Sequence, residues 1–455
     1  GIAGKKRVAV LLSNSIELVE VYFALARLGC VTIPLNYRLS GRELSFILDN
    51  AEPAALIMGE EYSSLVHELN ARVKKPDVFI TIGKDTRKDK SFDSLCRNQS
   101  DHAPAVEVIP QDESFIIYTS GTTGRPRGVV LTHVNNFVNT LNYTSAYQMK
   151  ESDVELALTP MFHSSTLGRV VTYVFNGVTF ITSRRFDPEK ALGLVSTHHV
   201  TSITQSPTMY AALLNLNNGD THSCGSVRRI VSGAAPLFPV IRSRLAKRFP
   251  HAGIYDLYGL TEASPGVSIL KPDDPPEKIT SVGKPMKHVI VKIVDDEGSE
   301  LPPGETGEIV CRGPNLMKGY YNDLPLTQEV LRDGWLYTGD TGKMDRDGYL
   351  YLTGRKKELI VRGGENIYPA EVEAVLHQHH EIDVAAVIWI PDEYWGETVK
   401  AVVVLKQGAT LTEEDVVTFC APQLAPFKRP TSVAFADSLP KNVSGKIMKT
   451  EIKTR

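Results

Sequence analysis

Six consecutive small or hydroxyl-bearing residues, Thr119 to Gly124, split an apolar stretch, with Phe115 to Tyr118 ahead of them and Val129 to Leu131 behind. A chain written this way must turn between two buried segments with little side-chain bulk around its backbone. Such a loop can fold its N–H groups and hydroxyls around phosphate oxygens, and Arg125 and Arg127 add positive charge at its far end. The spacing excludes the Walker loop, which needs G-x-x-x-x-G-K-[ST] opening a helix. Position five after Gly121 is Pro126, and a β-rich run follows, so no helix dipole is aimed at the bound group. A plain Gly/Thr hairpin turn is the other reading of the same residues.

The surrounding pattern sets the fold class. Arg7 to Leu12 reads as a strand. Asn14 with Glu17 has the spacing of a helix-starting capping pair, and the helix it opens places Leu18, Tyr22, Leu25 and Ala26 on one face before Gly29 stops it. Val31 to Pro34, Ala55 to Met58 and Val78 to Ile82 read as buried strands between helices, an α/β alternation with a parallel sheet. A second block, 154 to 263, repeats it, with strands near Val154–Leu158, Val178–Ile181 and Ile203–Gln205 and a helix opened by Asp187-Pro188. Two such blocks predict two sheets packed through shared helices. From 281 to 352 short strands alternate with Gly, Pro and Asp turns, which predicts a small β-barrel or curved sheet.

After Gly354 the charged run Arg355-Lys356-Lys357 marks the expected boundary between an N-terminal domain, 1–354, and a small α+β C-terminal domain, 355–455. The full 455 residues exceed what one hydrophobic core serves. A formal charge of −3 gives no support for nucleic acid or an anionic membrane as partner. No apolar run reaches the ~18 residues of a membrane span. Cys30, Cys96, Cys224, Cys311 and Cys420 lack C-x-x-C spacing and read as buried free thiols of a reducing compartment, which makes the cytoplasm the expected location.

Several short motifs bear chemistry. Thr261 and Glu262 offer a hydroxyl and a carboxylate to a hard cation that also holds phosphate oxygens; alternatively Thr261 caps a helix and Glu262 sits in its first turn. Ser232-Gly-Ala-Ala-Pro236 lets a flat ring lie against backbone, or simply turns a strand into a helix. Asp340, ending Trp335-Leu-Tyr-Thr-Gly-Asp340, can accept two ribose hydroxyls or serve as an ordinary turn aspartate. His163 follows a strand, where a lone histidine is usually structural. His198, His199, His377, His379 and His380 lack clear metal spacing and read as surface residues. Gly363-Gly364 gives a narrow edge for an extended chain, or a β-turn, and Lys446 reads on composition as a solvated tail lysine.

In order and distance, Phe115–Thr132, Tyr258-Gly-Leu-Thr-Glu-Ala263, Trp335–Asp340, Gly363-Gly364-Glu365-Asn366 and Lys441-Asn-Val-Ser-Gly-Lys446 resemble the core motifs of the adenylate-forming superfamily, which holds acyl-CoA synthetases, adenylation domains and luciferases. The resemblance spans nearly the whole chain. Members usually carry a further segment ahead of position 1, so the start and any targeting signal in it are expected to be missing. The implied fold is α/β: a large N-terminal domain of two α/β sheet subdomains plus a small β-barrel, then a small mobile α+β domain hinged at Lys357. The implied activity is that of an AMP-forming acyl-CoA synthetase. A carboxylate attacks the α-phosphate of ATP to give acyl-adenylate and pyrophosphate; the small domain then turns, and coenzyme A thiol displaces AMP.

The residue roles come with the resemblance. Lys446 is the catalytic cation, Glu262 and Thr122 hold Mg²⁺, and His163 is an aromatic gate. Nucleotide contacts fall to Thr119, Ser120, Gly121, Thr122, Thr123, Gly124 and Arg127 of the loop, and to Gly233, Ala234 and Ala235. Asp256, Tyr258 as adenine platform, Gly259 and Thr261 follow, with Asp340 and Arg355 on the ribose. Gly363 and Gly364 flank the pantetheine path; His163, Ser165, Gly233 and Gly259 line the acyl pocket. One departure stands out: the loop ends Pro126-Arg127-Gly128 where lysine is usual, and arginine is bulkier and planar.

A fatty or aryl acid is expected, because Ser164 to Gly168 leaves room for a large acyl group and no aspartate stands where amino-acid-activating relatives hold the substrate amine. Arg169 reads as a helix-face arginine rather than a partner for a second carboxylate. The implied partners are a small-molecule carboxylic acid, ATP and coenzyme A, and a homodimer is among the assemblies allowed. The rival readings are an adenylation enzyme loading a carrier-protein thiol, a kinase, and a nucleotide-binding protein without ligase activity.

Overall fold

The structure is a computed structural model that describes residues 2, 4–69, 76, 78–83, 90–97, 99–100, 102, 104–120, 126–216, 222–362, 365–441 and 447–452. The first sheet has eight strands. Arg7–Leu11 lies at its heart, parallel to Val31–Pro34 on one side and Ala55–Gly59 on the other. Beyond Val31–Pro34 comes Glu113–Ser120, then the antiparallel strand Pro126–Thr132, with Gly319–Tyr320 on the edge. The second sheet has seven strands. Val154–Leu156, Thr179–Ile181, Ser202–Gln205, Arg229–Gly233 and Gly253–Gly259 run parallel, and Gly266–Leu270 turns back antiparallel.

The shared helical layer expected between the sheets is present. Val8 of the first sheet, Tyr143 and Leu167 of two helices, Val231 of the second sheet and Ile309 of the third belong to one continuous apolar cluster. His133–Tyr147 starts on a capping box between Thr132 and Asn135. Its neighbour Ser164–Phe175 starts at His163 without a side-chain cap. The third sheet is antiparallel: Ile290–Val294, Gly307–Arg312, Trp335–Met344, Leu331–Arg332 and Leu350–Arg355. A single 3₁₀ turn, Lys356–Glu358, separates it from the fourth sheet, whose first strand is Ile360–Arg362. The helices Pro369–Leu376 and Glu413–Cys420 pack on that last sheet with their own core, centred on Val372, Val387, Val403 and Val416.

Four local expectations need correction. The first helix is capped by Ser15, whose hydroxyl accepts from Leu18 N, not by Asn14. Asn14 is buried, donating to Thr159 O at 3.0 Å and accepting from Met161 N at 2.8 Å, so it ties the first block to the second. Cys96 is exposed, whereas the other four thiols are buried. His377 is half-buried rather than a plain surface residue: its ring lies 4.1 Å from that of Phe238, and burial lowers its imidazole to about 4. His379, His380 and Glu381 do bring ligand atoms within 4.8 Å of one another, although their sequence spacing did not suggest it.

Candidate active site

The hairpin beneath the small-residue loop closes in register, Thr119 opposite Arg127 and Ser120 opposite Pro126. Gly121, Thr122, Thr123, Gly124 and Arg125 lie outside the described residues.

Asp340 is the best-defined element of the site. It sits in the strand Trp335–Met344 directly opposite Arg355, the last residue of Leu350–Arg355. Arg355 Nε reaches Asp340 Oδ1 at 2.9 Å, and the Tyr258 hydroxyl donates to Oδ2 at 2.8 Å. Charge-assisted bonds on both oxygens fix the plane of the carboxylate and leave lone pairs for further donors. Burial disfavours charge on Arg355, but Asp340 beside it prevails and holds the guanidinium above its ordinary value. Tyr258 is buried, so the phenol orients Asp340 from within the second sheet while Arg355 does so from the third.

Glu262 lies on a 3₁₀ turn, Thr261–Ala263, that has no side-chain cap. The helix-start reading of Thr261 therefore fails. Glu262 Oε1 accepts from the Tyr320 hydroxyl at 2.8 Å, and its carbonyl accepts from Met317 N at 2.8 Å. Thr261 Oγ1 lies 3.0 Å from Ser164 Oγ, which joins this turn to the start of the helix Ser164–Phe175. Just ahead, Gly259 is the one residue type its place allows: a Cβ there would stand 1.6 Å from the carbonyl oxygen of Pro265. Carboxylate and hydroxyl oxygens are the donor set magnesium prefers, so Glu262 and Thr261 fit such an ion. Tyr320 was not anticipated; its only trace in the sequence is the Gly319-Tyr320-Tyr321 string.

Asp256, Ser232 and Gln205 stand in register across three adjacent strands of the second sheet. Burial pushes the Asp256 carboxyl up to about 7 against the pull of Arg242, whose nearest nitrogen is 4.0 Å away. Ser232 Oγ and both amide atoms of Gln205 have no hydrogen-bond partner among the described residues. Gly233 ends its strand with room for a Cβ only 3.3 Å from Leu257 O, and Ala234 adopts a left-handed φ of 69°. That conformation costs an alanine ~1–2 kcal/mol. Ala235 follows in the same turn.

His163 packs against Phe162 at 4.4 Å, with Nε2 shielded and without a hydrogen-bond partner among the described residues, and burial holds its imidazole at about 4 with Arg38 adding to the effect. A ring that stays neutral suits a gate rather than a general base. Ser165 is half-buried on the first turn of the same helix. Arg169 overturns its expectation. It is 5% exposed, buried between this helix and its neighbour.

In the small domain, Ile360–Arg362 and Glu365–Ile367 form the hairpin that the resemblance implied, with Arg362 opposite Glu365. Gly363 and Gly364 at its tip lie outside the described residues, as does Lys446, although Lys441 and Ile447 on either side pair as a bridge. Lys357 occupies the 3₁₀ turn between the third and fourth sheets.

Two family models match the chain, AMP-binding enzyme over residues 1–321 and the AMP-binding enzyme C-terminal domain over 371–446. The chain belongs to the AMP-binding enzyme family. It is 37% identical to a feruloyl-CoA synthase from an Amycolatopsis species, over 100% of this chain and 90% of that one. The structure of ATP-bound MatB from Rhodopseudomonas palustris superposes with a TM-score of 0.91 at 32% identity, covering 100% of this chain and 89% of that one. The o-succinylbenzoate CoA synthetase MenE of Bacillus subtilis, in complex with its acyl-adenylate intermediate, gives 0.87 at 31%, covering 99% and 89%.

Within that family the chain is an AMP-forming acyl-CoA synthetase, as the motif order implied: it activates a carboxylic acid with ATP and passes the acyl group to coenzyme A. Among the described residues no helix is long and apolar enough to cross a membrane.

Proposed function

We propose that the Asp340 node is the ribose clamp of an aryl-acid–CoA ligase and that the residues around it divide the two half-reactions. The observation that carries this reading is the convergence of Tyr258 and Arg355 on the two oxygens of one buried carboxylate. Asp340 accepts the ribose hydroxyls, while the edge of the base meets Asp256 and the under-bonded Ser232 and Gln205. Gly233, Ala234 and Ala235 lie along its face. The loop Thr119–Gly124 and Arg127 surround the phosphates. Glu262, with Thr122 of the loop, would hold Mg²⁺, which when bound neutralises charge on the phosphates.

Lys446 meets the negative charge that develops at the α-phosphate as the carboxylate attacks. The small domain then turns about Lys357, which withdraws Lys446 and brings Gly363 and Gly364 beside the thiol path. Both cannot occupy one face of the site at once. The aryl preference draws on the feruloyl-CoA synthase and the o-succinylbenzoate enzyme, each at more than 30% identity.

The test is Lys446→Ala, assayed separately for each half-reaction with an aryl acid. Carboxylate-dependent exchange of pyrophosphate into ATP should fall at least ~100-fold. Thioester formation from supplied acyl-adenylate should fall far less. Undiminished exchange overturns the assignment of Lys446, and release of ADP in place of AMP overturns the reaction class.

A further inference from the structure

The short helix Lys449–Ile452 begins three residues after Lys446. Apolar contacts hold it to one face of the fourth sheet, where Ile447 and Ile452 pack with Ala386, Ile388, Val402 and Leu439. Just ahead, Lys441 and Ile447 pair as a bridge, and Met448 N donates to Pro440 O at 2.8 Å. The two ends from which the stretch holding Lys446 departs are thereby fixed to each other, as a closed neck.

A second contact at this neck is electrostatic. Lys449 Nζ lies 2.7 Å from Glu373 Oε1 and 3.2 Å from Glu358 Oε2, and its side chain is only 17% exposed. Burial disfavours charge on Lys449, but the two carboxylates prevail and hold the ammonium above its ordinary value. Glu373 Oε1 also accepts from Val387 N at 2.7 Å, which ties this corner to the strand Ile382–Asp392. Glu358 closes the turn Lys356–Glu358, one position past the proposed pivot Lys357. One ammonium thus joins the neck, the helix Pro369–Leu376 and the pivot turn.

Stability alone is a poor account of this arrangement. The helix is already held by Ile447 and Ile452, and taking a cation out of water between carboxylates returns little net stability. What the ammonium supplies is geometry. It sets how far the neck stands from the turn, and without it the two acids repel each other. Movement of the turn is then passed to the neck without slack.

We infer that Lys449 is a positioning residue for the first half-reaction: it fixes the neck of the Lys446 segment against the pivot turn, so that closure of the small domain delivers Lys446 to the α-phosphate. The inference rests on the ligase reading above and adds the side chain that sets where the catalytic cation stands. Lys449 acts through Lys446 and through no contact with substrate. Its loss therefore falls on the rate of adenylation rather than on the binding of ATP.

The experiment measures each half-reaction with an aryl acid in the wild type, Lys446→Ala, Lys449→Gln, Lys449→Arg, Glu358→Gln and the double variant Lys449→Gln/Glu358→Gln. In Lys449→Gln, carboxylate-dependent exchange of pyrophosphate into ATP should fall at least ~10-fold in kcat, with KM for ATP within ~3-fold, since a small misplacement of a catalytic group is enough. Thioester formation from supplied acyl-adenylate should change less than ~3-fold, because Lys446 is withdrawn for that step. Lys449→Arg, whose fork reaches two carboxylates, should bring exchange back to within ~3-fold of the wild type. Adding Glu358→Gln to Lys449→Gln removes the repulsion between the acids and should recover exchange by ~3-fold or more. Glu358→Gln alone alters a partly exposed turn residue and should lower exchange by a smaller factor, so the link stays testable if Lys449→Gln unfolds. Exchange at the wild-type rate in Lys449→Gln overturns the inference, as do equal losses in both half-reactions or losses that multiply in the double variant. Undiminished exchange in Lys446→Ala overturns the reading of Lys446 itself, whatever the Lys449 variants do.

Discussion

Asp340 and Asp256 are the same residue type at nearly the same burial, 7% and 6% exposed, yet their surroundings differ. Asp340 has a phenol on one oxygen and a guanidinium on the other. Asp256 has one guanidinium at 4.0 Å, the backbone N–H of Leu257 and, on adjacent strands, neighbours whose polar atoms have no partner among the described residues. The first is held in one orientation by those two donors before any ligand arrives. The second is pushed by burial toward neutrality, against the pull of Arg242 and the backbone N–H of Leu257. Burial alone therefore does not set what a carboxylate can do; the number of donors aimed at it does.

Three substitutions would sharpen or break that contrast. The largest effect is expected from Asp340→Ala, which strands both Arg355 and Tyr258. KM for ATP should rise roughly 100-fold, the ~3 kcal/mol typical when a buried charge loses its partner. Steady-state kinetics at saturating acid measures it, and an unchanged KM would remove Asp340 from the nucleotide site.

Next is Asp256, through its pH dependence. A carboxyl raised in the folded state binds protons more tightly there than in the unfolded chain. It therefore stabilises the fold below its unfolded value near 4, and that contribution is lost as pH rises through about 7. Urea unfolding of the wild type should show stability falling by ~2–4 kcal/mol across that window from this group. Asp256→Asn should flatten the fall; a slope equal to that of the wild type would show that burial does not raise the Asp256 carboxyl.

Tyr258→Phe is the mildest change. It removes one of two donors and keeps the ring, so kcat/KM for ATP should drop about tenfold or less, in line with the ~1–1.5 kcal/mol of a single hydrogen bond. A loss as large as that of Asp340→Ala would mean the phenol, not the arginine, holds the carboxylate.

Much of this was readable from sequence where the partners are close along the chain. Asp340 and Arg355 face each other because a short hairpin joins their strands, and the Gly/Thr loop sits between two runs that pair residue by residue. What stayed hidden depends on contacts between distant segments. Tyr320 reaches Glu262 only because Gly319–Tyr320 adds to the edge of the first sheet beside Val129 and Val130. Asn14 looked like a cap because its offset from Glu17 fits one, but the carbonyl and amide that bind it lie more than 140 positions away. Arg169 was misjudged for a related reason: a charged residue in an amphipathic helix is usually solvated, and only the second helix shows that its face points inward.

The chain that leads out of the proposed ribose clamp is tethered twice in succession. Arg355 is bound to Asp340, and the next residue, Lys356, is ion-paired to Asp296 and Glu308. A swing that begins at Lys357 thus begins one position past a double mooring on the larger body. The proposed pivot is then attached, through Arg355, to the same carboxylate that would grip the sugar. Loosening that grip would slacken the axle as well, so a mutation that weakens nucleotide binding would also be felt in the timing of the swing.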